Sequence, residues 1–349
     1  MGLDDWAAGD RADLAAVAEE ARRWADSASD SPLYRAFALA IADDPALLAV
    51  LGRIPGVPPM NLLLGAVKLH LTAADALAAW YPHLTQEPRR PGPEACEALR
   101  AYVLDRADAL VAEASARRTQ TNEVGRAAVL LPWVVAFARD EPVHAVDLGA
   151  SAGLNLCLDR FAYRYPTAGP DGVRETRLGS SSVELVCEWR GEGPPVSAIP
   201  MLASRTGIDL SPVDATDPDA AAWLEALVWP EHTDRLARLR AAIEIRRGVD
   251  VTMVAGDAAR TLAQVDARLA PGPMVIWHTI ALYQAPARVN AAIDAAVEAI
   301  ARHRPVLRVG MEPVSGLPHS QVRVGSSFDR GRTAATAHAH GRWVAPAYP

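Results

Sequence analysis

The chain has 349 residues, with 35 Lys+Arg against 42 Asp+Glu for a formal charge of −7, and is 50% hydrophobic and 22% charged. That is an ordinary globular composition, long enough for two domains, and it contains no basic run that would neutralise a phosphate backbone, so nucleic-acid binding is not expected. The acidic opening Met-Gly-Leu-Asp-Asp-Trp is unlike a signal peptide, and the longest apolar stretch, Val129 to Ala138, is too short to span a bilayer, so no membrane residence and a cytoplasmic location are expected.

Cys96, Cys157 and Cys187 lie far apart and form no Cys-x-x-Cys, so neither a zinc knuckle nor a redox pair is expected. Lys68 is the single lysine. Its isolation removes the P-loop NTPases and the kinases, and leaves Lys68 as the one residue available for Schiff-base chemistry.

From residue 1 to about 135 the pattern is helical. Leu14, Val17, Ala21 and Trp24 recur at helical spacing, as do Leu99, Val103, Leu110 and Val111. Ser31 before Pro32 and Asp44 before Pro45 each read as an N-cap with proline at the first helical position, and Pro88 to Pro93 reads as a loop. Thr119 or Thr121 would cap a helix over Glu123 to Arg139.

The character changes at Val143 to Leu148, a β-like run followed by small residues and then a helix. Further strands are expected near Val183 to Trp189, Gly207 to Leu210, Val251 to Ala255, Met274 to Ile280, Val306 to Gly310, Val322 to Phe328 and Thr336 to Val344. Helices are expected over Asp219 to Glu225, Thr233 to Arg246 and Ala285 to His303. Alternating β and α implies an α/β layer with a mostly parallel sheet, closed by an antiparallel C-terminal hairpin through Asp329-Arg330-Gly331. The expected division is an N-terminal all-α cap over residues 1–118 and a sheet domain over 119–349.

The segment richest in chemistry is Asp147-Leu148-Gly149-Ala150-Ser151-Ala152-Gly153-Leu154-Asn155, a glycine-bearing turn that lets a ligand approach the backbone. Ser151 and Leu154 stand where a dinucleotide fingerprint needs glycines, which argues against NAD or FAD. Gly149-Ala-Ser151-Ala-Gly153 does match the nucleophile elbow of serine hydrolases, though that elbow follows several strands and here helices precede it.

Asp147, two residues before the first glycine at the end of the first strand, resembles motif I of class I S-adenosylmethionine-dependent methyltransferases. The resemblance implies a Rossmann-like sheet whose turn, with Gly149, Ser151, Gly153 and Asn155, makes room for the methionine part of the cofactor. It further implies that Asp209, or alternatively Glu184 or Glu188, takes the ribose hydroxyls, and that Asp257 and Ala258 meet the adenine. Met274 to Tyr283 would be the fourth strand and the loop facing the methyl group, with His278 and Tyr283 as candidate catalytic residues and His278 also near the cofactor. Gln120, Thr121 and Asn122, following Arg117 and Arg118, sit where such enzymes often hold the cofactor's carboxylate. The helical cap would close over the strand ends.

His278 reads either as a base or as a hydrogen-bonded core histidine, and Trp277 either as a pocket wall or as core. His338 and His340 alternate as in a strand, but no third ligand stands nearby and no metal is expected. The wider sequence also looks like a mainly actinobacterial family of unknown function. The implied activity is methyl transfer to a small-molecule acceptor. Two alternatives are cyclisation of S-adenosylmethionine itself with release of methylthioadenosine, and ester hydrolysis through Ser151. A non-enzymatic ligand sensor is a further one.

Overall fold

The computed structural model describes residues 13–56, 58–120, 122–194, 196–325 and 332–347. The chain divides into a helical unit, running up to residue 121 with residues 217–237 added, and an α/β unit holding 122–216 and the chain from Arg238 onward.

In the helical unit the caps lie where the sequence puts them. Helices α1 (Leu14–Ser27), α2 (Pro32–Asp43), α3 (Pro45–Gly52), α4 (Pro59–His70), α5 (Pro93–Asp105) and α6 (Ala107–Ala116) follow in order, with no strand among the described residues. Ser31 accepts from the Tyr34 amide and Asp44 from the amides of Ala46 and Leu47, each with proline next in the chain. A cap and a proline whose missing N–H costs nothing together fix where the helix starts. Glu231 adds to this, taking the Ser31 hydroxyl at 2.6 Å and the Leu33 amide at 2.8 Å. The apolar core runs through Phe37, Ile41, Leu47, Leu51 and Leu63, and takes in Trp223 from α8 (Pro218–Ala226).

The α/β unit opens with α7 (Ala127–Ala138) and β1 (Val143–Leu148). A 3-10 stretch, Leu154–Arg160, kinked at Cys157, replaces the expected helix after β1 and feeds a hairpin of β2 (Ala162–Gly169) and β3 (Gly172–Leu178) that the sequence pattern does not announce. The expected strand over Val183 to Trp189 is two short pieces, β4 (Glu184–Val186) and β5 (Glu188–Trp189). Then come β6 (Leu202–Asp209), α9 (Thr233–Arg247), β7 (Thr252–Ala255), α10 (Ala258–Asp266), β8 (Met274–Thr279), α11 (Ala287–Ala301) and β9 (Val306–Pro313). The last strands are β10 (Ser320–Gly325), β11 (Arg332–Ala337) and β12 (Trp343–Pro346). The expected strand over Thr336 to Val344 is thus broken: His338 and His340 sit in the turn between β11 and β12, where the His338 carbonyl accepts from Gly341 N–H at 2.8 Å. Residues 326–331, where the hairpin turn is expected, lie outside the described residues.

Strand order is β3-β2-β5-β12-β11-β10-β9-β8-β1-β6-β7, and seven of the eleven described pairings are parallel, so the sheet is mostly parallel and open. β9, β10, β11 and β12 form an antiparallel meander in chain order. β1 and β8 are buried at every position, which explains their lack of polar alternation. On one side Val146, Leu148, Ile208, Met274 and Ile276 meet Leu262 and Val265 of α10 and Ile293, Val297 and Ile300 of α11.

Within the order β7-β6-β1-β8-β9 the chain runs outward from β1 through β6 and β7, then returns to the other side of β1 as β8. In open α/β sheets ligands bind outside the carboxyl ends of the strands at such a reversal. Here those ends lead into the glycine turn after β1, Asp209, Asp257 and the loop after Thr279.

Candidate functional site

The turn after β1 is held by its neighbours on the sheet. Gly149, Ser151 and Gly153 all have left-handed backbone, at φ +73°, +50° and +70°. The Gly149 amide donates to Ile208 O at 2.8 Å, and a Cβ on Gly149 would stand 2.5 Å from that of Ala281. Glycine is therefore required there both by conformation and by the approach of the loop after β8. Ser151 keeps its unfavourable conformation because Asp209 accepts its amide at 2.8 Å while Val213 N–H reaches its carbonyl at 3.0 Å. Asp209 also takes the Ser211 amide at 2.8 Å, so it ties the ends of β1 and β6 together. A carboxylate has about four acceptor positions, which leaves capacity for a ligand.

Two oxygens at this turn have no hydrogen-bond partner. Ser151, 7% exposed, leaves its Oγ unsatisfied, and Asn155, 4% exposed, its Oδ1. Burying such atoms costs on the order of 1–3 kcal/mol each, which a ligand that bonds them would return. Asp147 lies deeper. Burial pushes its carboxyl up to about 8; the Trp277 indole and Arg126 pull against this while Asp209 adds to it. At neutral pH Asp147 is consequently protonated in most molecules and offers an O–H.

The other expected residues separate. Asn122 donates from Nδ2 to Ala150 O at 3.3 Å and belongs to the turn. Gln120 belongs to the helical unit, and Thr121 lies outside the described residues. Arg117 pairs with Glu113 at 2.6 Å and covers the Trp223 ring, and the acid that caps the start of the Val124–Arg126 turn is Glu123. Asp257 accepts from Ala259 N–H at 2.7 Å and so caps α10, of which Ala258 is the first residue. Glu184 pairs with Arg164 and Arg177, and Glu188 with Arg190, on β4 and β5. Five strands separate β5 from β1 along the sheet, which leaves Asp209 as the acid beside the turn.

His278 is sealed within the sheet and bonded at both ring nitrogens. It is 0% exposed, its Nδ1 is 2.6 Å from Glu312 Oε1, and its Nε2 accepts from Arg308 Nε at 3.2 Å. Arg308 in turn pairs with Asp294 of α11. Because Arg308 Nε–H donates to Nε2, the proton that faces Glu312 is on Nδ1, and burial lowers the ring's proton affinity against the pull of Glu312. Of the two roles its sequence context allows, the geometry matches the hydrogen-bonded core histidine. Trp277 is likewise fully buried, whereas Tyr283 is 52% exposed on the loop after β8.

Glu312 and Arg126 are buried charged residues that the sequence pattern does not single out. Arg126, buried ahead of α7, donates to Thr279 O at 2.9 Å and Ala339 O at 3.0 Å, pinning the end of β8. Glu312 lies two residues past the expected end of its strand, in Gly-Met-Glu-Pro, and an acid at a strand's carboxyl end is the signal that was available. Lys68 is buried in the helical unit, donating to the carbonyls of Glu225 and Val228 at the end of α8. Among the described residues no three His, Cys, Asp or Glu side chains are grouped to hold a metal ion, and no helix is long and apolar enough to cross a membrane.

An open, mostly parallel α/β sheet with polar groups gathered at its point of reversal defines the class. Over residues 18–345 the chain matches the family described as "Uncharacterized protein conserved in bacteria (DUF2332)", and it belongs to that bacterial family. Comparison with curated proteins finds no match.

Proposed function

We propose that the α/β unit binds S-adenosylmethionine at the carboxyl ends of β1, β6 and β7, and that the protein transfers its methyl group to a small-molecule acceptor. The observation that carries this reading is the Gly149–Gly153 turn at the strand-order reversal, with Ser151 Oγ and Asn155 Oδ1 buried and unpartnered. Those oxygens and the spare acceptor capacity of Asp209 and Asp257 suit a ligand rich in hydroxyl and ammonium donors and carrying positive charge. The group therefore fits the residues present.

When bound, S-adenosylmethionine supplies a methyl carbon whose bond to positive sulfur breaks as the acceptor attacks. In this reading Asp209 takes ribose hydroxyls, Asp257 the adenine amino group, and Ser151 and Asn155 the amino-acid end. Tyr283, half exposed on the loop after β8, faces the acceptor. His278 is sealed from the ligand and does not serve as the base.

Ester hydrolysis through Ser151 is less well supported. A serine nucleophile needs a base within hydrogen-bond reach, and Ser151 Oγ has no partner among the described residues. The deciding experiment is incubation with S-adenosylmethionine, with and without a small-molecule extract, followed by mass spectrometry of bound and released nucleosides. S-adenosylhomocysteine appearing only with extract supports transfer. Methylthioadenosine formed without extract makes the cofactor itself the substrate, and absence of binding defeats both readings.

A further inference from the structure

Glu312 gathers an unusual number of donors. Its Oε1 accepts from His278 Nδ1 at 2.6 Å and Leu282 N–H at 3.1 Å, and its Oε2 from Ala281 N–H at 3.1 Å and Tyr283 N–H at 3.3 Å. Three consecutive backbone amides of one loop thus converge on one carboxylate that is 6% exposed. Behind it stand His278, Arg308 and Asp294, a buried line from the end of β9 through β8 to α11. Room for the histidine ring is made by Gly310, where a Cβ would come within 2.5 Å of His278 Cε1.

Burying such a chain of charged groups returns little net stability, but once fully bonded it holds the groups it joins in one arrangement. The conformation it fixes is strained. Ile280, immediately before the clamped amides, sits at φ +52°, an outlier for a β-branched residue. That kink turns Ala281 against Gly149 and carries Tyr283 out to solvent.

We infer that Glu312 is a positioning residue that clamps the 281–283 loop against the Gly149 turn, with His278 as the donor that orients its carboxylate. Arg308 occupies the histidine's Nε2, which forces the proton onto Nδ1 and aims it at Glu312. The consequence for ligand binding rests on the proposed cofactor site, whereas the clamp itself does not.

Two near-isosteric variants test it. In Glu312→Gln the amide must turn its NH2 either toward the Nδ1–H of His278 or toward the loop amides, setting donor against donor. Amide hydrogen exchange at Ala281, Leu282 and Tyr283 is expected to accelerate by roughly tenfold or more, with Val275 and Ile276 of β8 unchanged. In His278→Asn the side-chain N–H stands in for Nδ1–H, so the loop is expected to keep its slow exchange. Equal acceleration in loop and strand in Glu312→Gln, or a loop loosened as much by His278→Asn, would overturn the clamp. Affinity for S-adenosylhomocysteine by calorimetry is expected to fall by about fivefold to tenfold in Glu312→Gln and to be largely retained in His278→Asn. Undiminished affinity despite a loosened loop would overturn the positioning role. A wild type that does not bind this probe would sink the cofactor reading, while the exchange rates would still decide for or against the clamp.

Discussion

The two units treat backbone strain in opposite ways. In the helical unit no described residue has a positive φ, and the buried cation Lys68 serves to close a helix end. The α/β unit holds every positive-φ residue described, including four that are not glycine: Arg139, Asp140, Ser151 and Ile280. Arg139 and Asp140 simply end α7 and lead toward β1. Ser151 and Ile280 stand at the carboxyl ends of β1 and β8, on either side of the strand-order reversal, each held there by a carboxylate on the neighbouring strand. Strain persists only where surrounding contacts over-determine it, so its location separates a framework from the surface proposed to bind a ligand.

Gly149→Ala should show this contrast most strongly. It adds a Cβ 2.5 Å from Ala281 at a left-handed position and is expected to cost about 2–4 kcal/mol in denaturant unfolding. Gly65→Ala in α4 meets the Trp223 ring at 3.0 Å but gains helix propensity, and should stay within about 1 kcal/mol. Equal costs at the two glycines would erase the distinction. Next in size, Lys68→Met should lose about 1–3 kcal/mol by leaving buried carbonyls unsatisfied, with no effect on S-adenosylhomocysteine affinity.

A further effect depends on pH. Because the folded-state value of Asp147 is raised, the native state keeps a proton that the unfolded chain has released, so its contribution to stability falls as pH climbs from 3.8 to about 8. Asp147→Asn does not titrate. Its Tm should exceed that of the wild type by roughly 5–10 °C at pH 8, since the linkage between 3.8 and about 8 amounts to on the order of 5 kcal/mol, with the gap closing toward pH 4. A gap independent of pH would mean that the carboxyl is ionised in the fold. Smallest of all, Ser151→Gly relieves the left-handed serine and should stabilise by a few tenths to about 1 kcal/mol while weakening S-adenosylhomocysteine binding. A variant both less stable and equally competent to bind would contradict the strained-site reading.

What depends on local chemistry is legible in the sequence. Caps at Ser31 and Asp44, the buried runs of β1 and β8, and the glycine turn can all be read because each is written in adjacent residues. The β2–β3 hairpin cannot, since β3 is largely exposed and is held by its ladder and by pairs such as Arg164–Glu175 at 3.1 Å, without an apolar period. The surroundings of His278 are hidden for a related reason. An apolar strand shows that a histidine is near the core, but its partners Glu312, Arg308 and Asp294 come from a later strand and helix, and their convergence is a property of the folded sheet. Asp209 and Asp257 stand out in the sequence as acids at strand ends, whereas their service as a tether and a helix cap needs coordinates to see.

β12 also bears on how the chain is made. It lies between β11 and β5, joining the β3-β2-β5 strands to the rest of the sheet by parallel pairing of Trp343 and Val344 with Glu188 and Trp189. A ribosome delivers those residues after every other described strand of this sheet, so during synthesis β5 and β11 wait with unpaired edges, the condition that exposes strands to wrong partners. The two parts of the sheet are therefore joined by the last of its described strands, and a chain ending just before Trp343 is expected to leave β5 and β11 as two unpaired edges.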